Sequence, residues 1–187
     1  ELVLESKTEL SPDSSAKIEY QIDKNSNAKY GTYKEIDIAT GKLRIERTYK
    51  NNQIDGVEKV YFPSGQLDGM LAYKDGVHHG EFTYYYEDGK VKQKGNYVNG
   101  KIEGMLLGYY QNGNVKEEVT HINGVTQGPF KEYNENGTLK AEGEFTSKSD
   151  QENLEQGLFQ EYDGNGKLVR KMTCKEGQCC TTWTLKD

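Results

Sequence analysis

Small, apolar and aromatic residues recur along this chain with a period of 24 residues. Glycine marks the repeat, with one longer step before the last member: Gly41, Gly65, Gly89, Gly113, Gly137 and Gly166. A Leu or Val follows each glycine by two residues, and a Tyr, His, Phe or Cys follows it by eight. Side chains separated by an even number of residues point to one face of a strand, so we expect these two columns to share an apolar face. Charged residues such as Lys92 and Lys94 fall between them and predict a wet opposite face.

The segment before each turn glycine is aromatic. A Tyr precedes five of these glycines by four residues, in a series that we call the tyrosine ladder: Tyr61, Tyr85, Tyr109, Tyr133 and Tyr162. Three residues before each ladder position stands a Phe or Leu, with Glu58 as the exception. The two series differ in parity, so either this strand carries a bulge or both of its faces are partly apolar.

The glycine punctuation predicts one β-hairpin per repeat, because glycine accepts the positive φ that hairpin turns require. Six hairpins fill residues 31–180, and their starts are predicted near residues 31, 56, 80, 104, 128 and 157. Hairpins stacked in register form an all-β fold, a single-layer twisted antiparallel sheet. We expect residues 1–30 to be a polar leader with one cap strand near 18–22, and residues 181–187 to be a C-terminal cap strand. A five-residue insertion within 147–156 lengthens a loop of the fifth repeat.

The repeat unit resembles a known family. From Gly80 to Gly104 the chain reads GEFTYYYEDGKV, then KQKGN, then YVNGKIEG. This unit is similar to the MORN repeat in the variant form common in bacterial proteins. The resemblance covers about residues 31–180, with departures that include His121 and Cys174 at aromatic positions. It implies a curled, solenoid-like sheet built hairpin by hairpin. It also implies a role in protein or membrane association, with antitoxin-labelled relatives, and no catalytic residue in the repeat itself.

The composition restricts the classes of protein that fit this pattern. The chain has 187 residues, of which 33% are hydrophobic, and its 24 basic and 30 acidic residues give a net charge of -6. Its 14 Tyr side chains supply apolar surface that the aliphatic residues lack. The acidic balance disfavours nucleic acid and membrane surfaces as partners, and no apolar run is long enough to span a membrane.

Side chains that could carry chemistry are few and scattered. His78 and His79 stand together in a turn between repeats, and His121 replaces a Tyr, so a solvated loop pair and a core substitute are the simpler interpretations. The chain contains no nucleophile, phosphate-binding, zinc or calcium motif. We therefore predict no enzymatic activity, no cofactor, and no catalytic, cofactor-binding or metal-binding residue.

Three cysteines, Cys174, Cys179 and Cys180, cluster near the C-terminus. Their spacing allows a disulfide between Cys174 and Cys179, and three reduced cysteines in a capping hairpin are the alternative. Together with a first residue other than Met and a polar leader, the cluster favours an exported protein, either periplasmic, envelope-anchored or secreted. A cytoplasmic protein is the alternative.

The aromatic residues between 82 and 110 are the best candidates for a binding surface, since Tyr offers a large contact area at low entropic cost. The candidate set is Phe82, Tyr84, Tyr85, Tyr86, Tyr109 and Tyr110. The alternative is that the tyrosine ladder is simply the core of a thin sheet. We predict a non-enzymatic protein-interaction or scaffold module whose partner is a protein rather than a small molecule. An antitoxin-like protein that binds a cognate toxin and a secreted carbohydrate-binding protein are the alternatives.

Overall fold

The structure, a computed structural model, describes residues 1–148 and 154–185. These residues form 17 β-strands and no helix, so the prediction of an all-β fold is confirmed. None of the described chain therefore forms a helix that could cross a membrane. Residues 149–153, within the range 147–156 where the insertion is predicted, lie outside the described residues. The chain divides into two compact units, Glu1–Lys90 and Val91–Asp187.

The first unit is an antiparallel sheet in which the strands pair in chain order. A short strand, β5, also pairs with β4 where the chain enters β6. The strands are β1 (Leu4–Leu10), β2 (Ala16–Asp23), β3 (Lys29–Asp37), β4 (Leu43–Lys50), β5 (Gln53–Ile54), β6 (Gly56–Tyr61), β7 (Leu67–Lys74) and β8 (Val77–Tyr85).

The second unit has the same construction, again with antiparallel pairs of neighbouring strands. The short strand β10 pairs with β9, and β11, which follows β10 in the chain, pairs with β9 as well. The strands are β9 (Val91–Val98), β10 (Lys101–Ile102), β11 (Gly104–Tyr109), β12 (Val115–Ile122), β13 (Val125–Tyr133), β14 (Leu139–Thr146), β15 (Glu155–Tyr162), β16 (Leu168–Lys175) and β17 (Gln178–Thr184).

The strands β3 to β16 correspond to the repeats found in the sequence. Two of the repeat strands are interrupted by a single residue, Asp55 between β5 and β6 and Glu103 between β10 and β11. The N-terminal segment differs from the prediction, because it forms a hairpin of two strands, β1 and β2, where one cap strand was expected. The strand β1 carries mostly polar and exposed side chains, so it has no hydrophobic alternation that would reveal it.

The hairpin turns explain the fixed glycine of each repeat. In the turn after β11, the Tyr110 N–H donates to Asn114 O and the Gly113 N–H donates to Tyr110 O, both at 2.9 Å. These hydrogen bonds enclose a three-residue hairpin loop. The loop ends at Gly113, whose φ of 96° is left-handed. The same pair of hydrogen bonds closes four other turns, which begin at Phe62, Tyr86, Asn134 and Asp163, whereas the turn at Gly41 is one residue longer, with the Asp37 N–H donating to Lys42 O.

A β-bulge in the second strand of each repeat decides which side chains share a face. Gly108 pairs with Glu117 and Tyr109 pairs with Val115, so Lys116 has no partner in the register. Consecutive residues of β11 point to opposite faces and paired residues point to the same face, so Glu117 and Val115 lie on opposite faces. The same register shift occurs between β3 and β4, β6 and β7, β13 and β14, and β15 and β16.

The bulge corrects one prediction and settles one open question. The Leu or Val column does not share a face with the column six residues later, because the extra residue turns it to the other side. From the Phe position to the ladder Tyr, the first strand of each repeat alternates regularly, so these two positions lie on opposite faces. In each unit we call these the Phe face and the Tyr face. The buried apolar side chains of the strands lie on the Phe face: Ala16, Ile18, Ile22, Tyr33, Leu71 and Phe82 in the first unit, and Phe130, Ala141, Met172 and Cys174 in the second.

Candidate functional site

Phe82 and Tyr84 lie side by side on the Phe face of β8. Their ring centroids are 5.7 Å apart, and Phe82 is only 2% exposed. Tyr84 pairs with Gly69, where a Cβ atom would come within 2.8 Å of its ring. Phe82 is therefore a core residue, and its place in the predicted binding surface is wrong, because its side chain is inaccessible.

The next two residues of the predicted surface point elsewhere. Tyr85 is the following residue of β8 and so lies on the Tyr face of the first unit, where it is half-buried. Tyr86 begins the hairpin turn, with its backbone N–H donating to Lys90 O at 2.8 Å. Within the first unit, the structure brings Phe82 and Tyr84 together and separates Tyr85 from them.

Tyr109 and Tyr110 lie in the second unit and are both half-buried. The Lys94 ammonium lies 5.6 Å from the centroid of the Tyr109 ring, on the Tyr face. The Tyr110 hydroxyl donates to the backbone carbonyl of Tyr133 at 2.8 Å and links two successive repeats. Tyr109 is thus a surface side chain of the Tyr face, whereas Tyr110 also has a structural role.

The later ladder tyrosines are anchored by carboxylates of the preceding repeat. The Tyr133 hydroxyl donates to Glu118 Oε1 at 3.1 Å, and the Tyr162 hydroxyl donates to Glu142 Oε1 at 2.5 Å. Burial, with the hydrogen bond to Glu142 as a further cause, raises the pKa of Tyr162 to about 12. These phenols therefore stay neutral over the physiological range and hold their rings in place on the Tyr face.

The Tyr face of the second unit also carries exposed apolar side chains. Met105 and Leu158 occupy the same position in two repeats, four residues before the ladder Tyr, and each is 52% exposed. Leu139 and Leu168 lie opposite Tyr133 and Tyr162 in the register and are half-buried. The strands β11, β13 and β15 thus present a strip of tyrosine and aliphatic side chains to solvent. We call it the Tyr-face strip and define it by Met105, Tyr109, Tyr133, Leu158 and Tyr162.

On the Phe face of the first unit, the apolar columns are interrupted by an ion pair. Arg47 Nη1 lies 2.9 Å from Glu58 Oε2, and Glu58 is 8% exposed. The Tyr73 hydroxyl donates to Glu58 Oε1 at 3.3 Å, and burial, with the Glu58 charge as a further cause, raises the pKa of Tyr73 to about 12. The sequence singled out Glu58 as an exception, but its partner could not be identified without the strand register.

Next to this ion pair, a lysine is surrounded by three tyrosine rings. Lys29 Nζ lies 4.9 Å from the ring centroid of Tyr20, 5.3 Å from that of Tyr33 and 5.6 Å from that of Tyr49. The Arg47 guanidinium carbon lies 4.6 Å from the Tyr33 centroid and 5.7 Å from the Tyr49 centroid. We call these five residues the lysine cage. Sequence analysis missed it, although three tyrosines within 30 residues could have drawn attention to it.

The C-terminal cysteines lie in the last hairpin of the second unit. Cys174 and Cys179 face each other across β16 and β17, and the structure joins them in a disulfide. Cys174 is buried, whereas Cys180 is exposed and has a free thiol.

Histidine and acidic side chains do not converge in the described part of the chain. His121 is buried on the Phe face of the second unit, with Nδ1 3.3 Å from Val119 O. No group of three or more His, Cys, Asp or Glu residues among those described is arranged to hold a metal ion.

These features define a class of protein, a β-hairpin repeat protein that presents side chains from a regular sheet. The family model described as MORN repeat variant matches residues 54–75, 79–99, 102–123, 126–146 and 155–175, and the chain belongs to this family. The predicted resemblance is therefore confirmed, and each match starts within two residues of a predicted repeat. The first predicted repeat, which starts near 31, lies outside the matches.

MORN repeats generally serve as protein or membrane-lipid interaction modules, and the family is generally non-catalytic. No curated protein matches the chain.

Proposed function

We propose that this protein is a non-enzymatic module that binds a protein partner on the Tyr-face strip of its second unit. The observation that carries the proposal is the half exposure of Met105 and Leu158, each of which lies four residues before a ladder tyrosine on the same face of its strand. Aromatic and aliphatic side chains are typical of the buried centre of protein interfaces. Because the orientations of these tyrosine rings are already fixed, binding a partner costs little side-chain entropy. The family supports a binding or scaffold role in general terms.

The non-enzymatic part of the proposal has separate support. The recurring positions of the repeat are turn glycines or packing residues, and the family is generally non-catalytic. The role of Tyr84, Tyr85 and Tyr86 in binding stays a prediction, as do the antitoxin-like and carbohydrate-binding alternatives.

Substitution of the exposed apolar pair tests the Tyr-face strip. We expect the double variant Met105→Lys and Leu158→Lys to lose the proteins that the 187-residue chain retains in affinity purification from its source cells, quantified by mass spectrometry. The matched control is Glu135→Lys, which places a lysine in an exposed turn of the same unit. Retention of the same proteins by the double variant, with an unchanged circular dichroism spectrum, would reject the strip as the docking site.

We also propose that the protein works in an oxidising compartment, as an exported protein. The Cys174–Cys179 disulfide supports this, since structural disulfides persist mainly outside the reducing cytosol. Alkylation of thiols in intact cells, followed by mass spectrometry, checks it: we expect Cys180 alone to be labelled, whereas labelling of all three cysteines indicates a cytoplasmic protein.

A further inference from the structure

Lys29 is a cation without an anionic partner among the described residues. Lys29 is half-buried, and its ammonium lies among the rings of Tyr20, Tyr33 and Tyr49. Within the described chain this ammonium makes neither a hydrogen bond nor an ion pair. Ring faces attract a cation by about 0.5–2 kcal/mol. They accept no conventional hydrogen bonds, so the three N–H donors of the ammonium remain available to a ligand.

A second cation faces the same two rings. Arg47 lies over Tyr33 and Tyr49 and uses Nη1 to bind Glu58, but its Nε is buried and has no hydrogen-bond partner. A buried donor without a partner is costly, which is why most such groups in proteins are satisfied. Glu58 pairs with Arg47, so among the described residues the Lys29 ammonium has no ion-pair partner of its own.

The residues around the cage are acidic. The hydroxyl groups of Tyr20 and Tyr33 donate to Glu9 at 3.2 Å and to Glu35 at 3.5 Å. The first unit contains 12 basic and 16 acidic residues, a net charge of -4. A polyanion such as nucleic acid or an anionic membrane would be repelled by this surface, whereas a single carboxylate next to basic groups matches both the cage and its rim.

We propose that the lysine cage binds one carboxylate of a peptide segment in which basic residues flank that carboxylate. The carboxylate oxygens accept from Lys29 Nζ, the Tyr rings enclose the alkyl part of the ligand side chain, and Arg47 contributes a second positive charge. The flanking basic residues meet the carboxylates of Glu9 and Glu35. This site lies on the Phe face of the first unit and does not depend on the Tyr-face strip.

Two short peptides that differ only in a carboxylate or an amide on the central side chain test the site. The probes are fluorescein-labelled Lys-Gly-Glu-Gly-Lys and Lys-Gly-Gln-Gly-Lys, both with an amidated C-terminus, and binding to the 187-residue chain is measured by fluorescence anisotropy. We expect the Glu peptide to bind about tenfold more tightly, which corresponds to one charged hydrogen bond. The acidic protein as a whole would favour the more positive Gln peptide, so a preference for Glu cannot arise from net charge.

Variants of the cage distinguish a built site from general attraction. We expect Lys29→Met to abolish the preference for Glu and Lys29→Arg to keep it, with both variants checked for folding by circular dichroism. Lys50→Met removes one exposed positive charge from the same unit and should leave the preference unchanged. Equal binding of the two peptides, or a preference that survives Lys29→Met, would overturn the proposal. Binding of phosphatidylserine vesicles to the wild type but not to Lys29→Met would also overturn it, in favour of a lipid headgroup.

Discussion

Arg47 and Glu58 stand where other repeats hold an apolar pair. At the corresponding positions, Leu71 pairs with Phe82 and Val119 pairs with Phe130. Two charges taken out of water cost several kcal/mol each, and their mutual attraction offsets this cost only when the geometry is good. The ion pair is thus a weak source of stability, although the loss of one partner alone is expensive.

Replacement of the ion pair by the apolar pair tests this view. We expect Arg47→Leu alone to lower the free energy of unfolding by about 2–3 kcal/mol, because it leaves the Glu58 carboxylate buried without a counter-charge. Arg47→Leu together with Glu58→Phe should return to within about 1 kcal/mol of the wild type, since it restores the pair found at Leu71 and Phe82. The measurement is equilibrium unfolding in urea.

A neighbouring exposed ion pair serves as the control. Lys59 Nζ lies 3.3 Å from Glu46 Oε2 one residue along the same two strands, and its side chain is 42% exposed. We expect Lys59→Leu to change the free energy of unfolding by less than about 1 kcal/mol, because water screens such pairs. A double variant that is no more stable than Arg47→Leu would contradict our account of the ion pair.

At the scale of strands and turns, the sequence predicted the hairpins but not the faces of their side chains. The turns could be predicted because one position in each has a left-handed backbone conformation that most residues other than glycine avoid. A glycine such as Gly113 therefore recurs at this position in the sequence. The bulge could not be predicted, because its extra position requires no particular residue type and is occupied by residues such as Lys116 and Lys140. For this reason the predicted face of the Leu column was wrong.

Close packing of an aromatic ring on a glycine belongs to this scale as well. Gly69 has an ordinary backbone conformation, but a Cβ atom there would meet the Tyr84 ring at 2.8 Å. We expect Gly69→Ala to lower the free energy of unfolding by about 1–3 kcal/mol, because the ring must leave its position in the sheet. Gly164→Ala is the matched control, since its Cβ would meet no atom within 4 Å, and it should change stability by less than about 0.5 kcal/mol. Equal effects of the two substitutions in urea unfolding would refute the packing argument.

Over the whole molecule, the periodic part of the fold could be predicted and the ends could not. Each internal repeat buries its Phe face against its neighbours, so the same residue types recur and the period is visible in the sequence. An end strand has a neighbour on one side only and is free of that constraint. This is why the polar strand β1 was missed and why β17 starts three residues before the predicted cap.

The last hairpin of the second unit shows how an end is held. β16 supports β17 on one side, every residue of β17 is exposed, and the Cys174–Cys179 disulfide joins the two strands. Because repeats exchange contacts only with their neighbours, we expect Cys179→Ser to destabilise this hairpin locally, by about 2 kcal/mol for so short a closed loop. Hydrogen exchange should then show faster exchange in β16 and β17 and unchanged rates in β11 to β13, whereas Cys180→Ser, which removes the exposed free thiol, should change neither. Faster exchange throughout the unit in Cys179→Ser would show instead that the unit unfolds as one cooperative body, and that the disulfide secures more than its own hairpin.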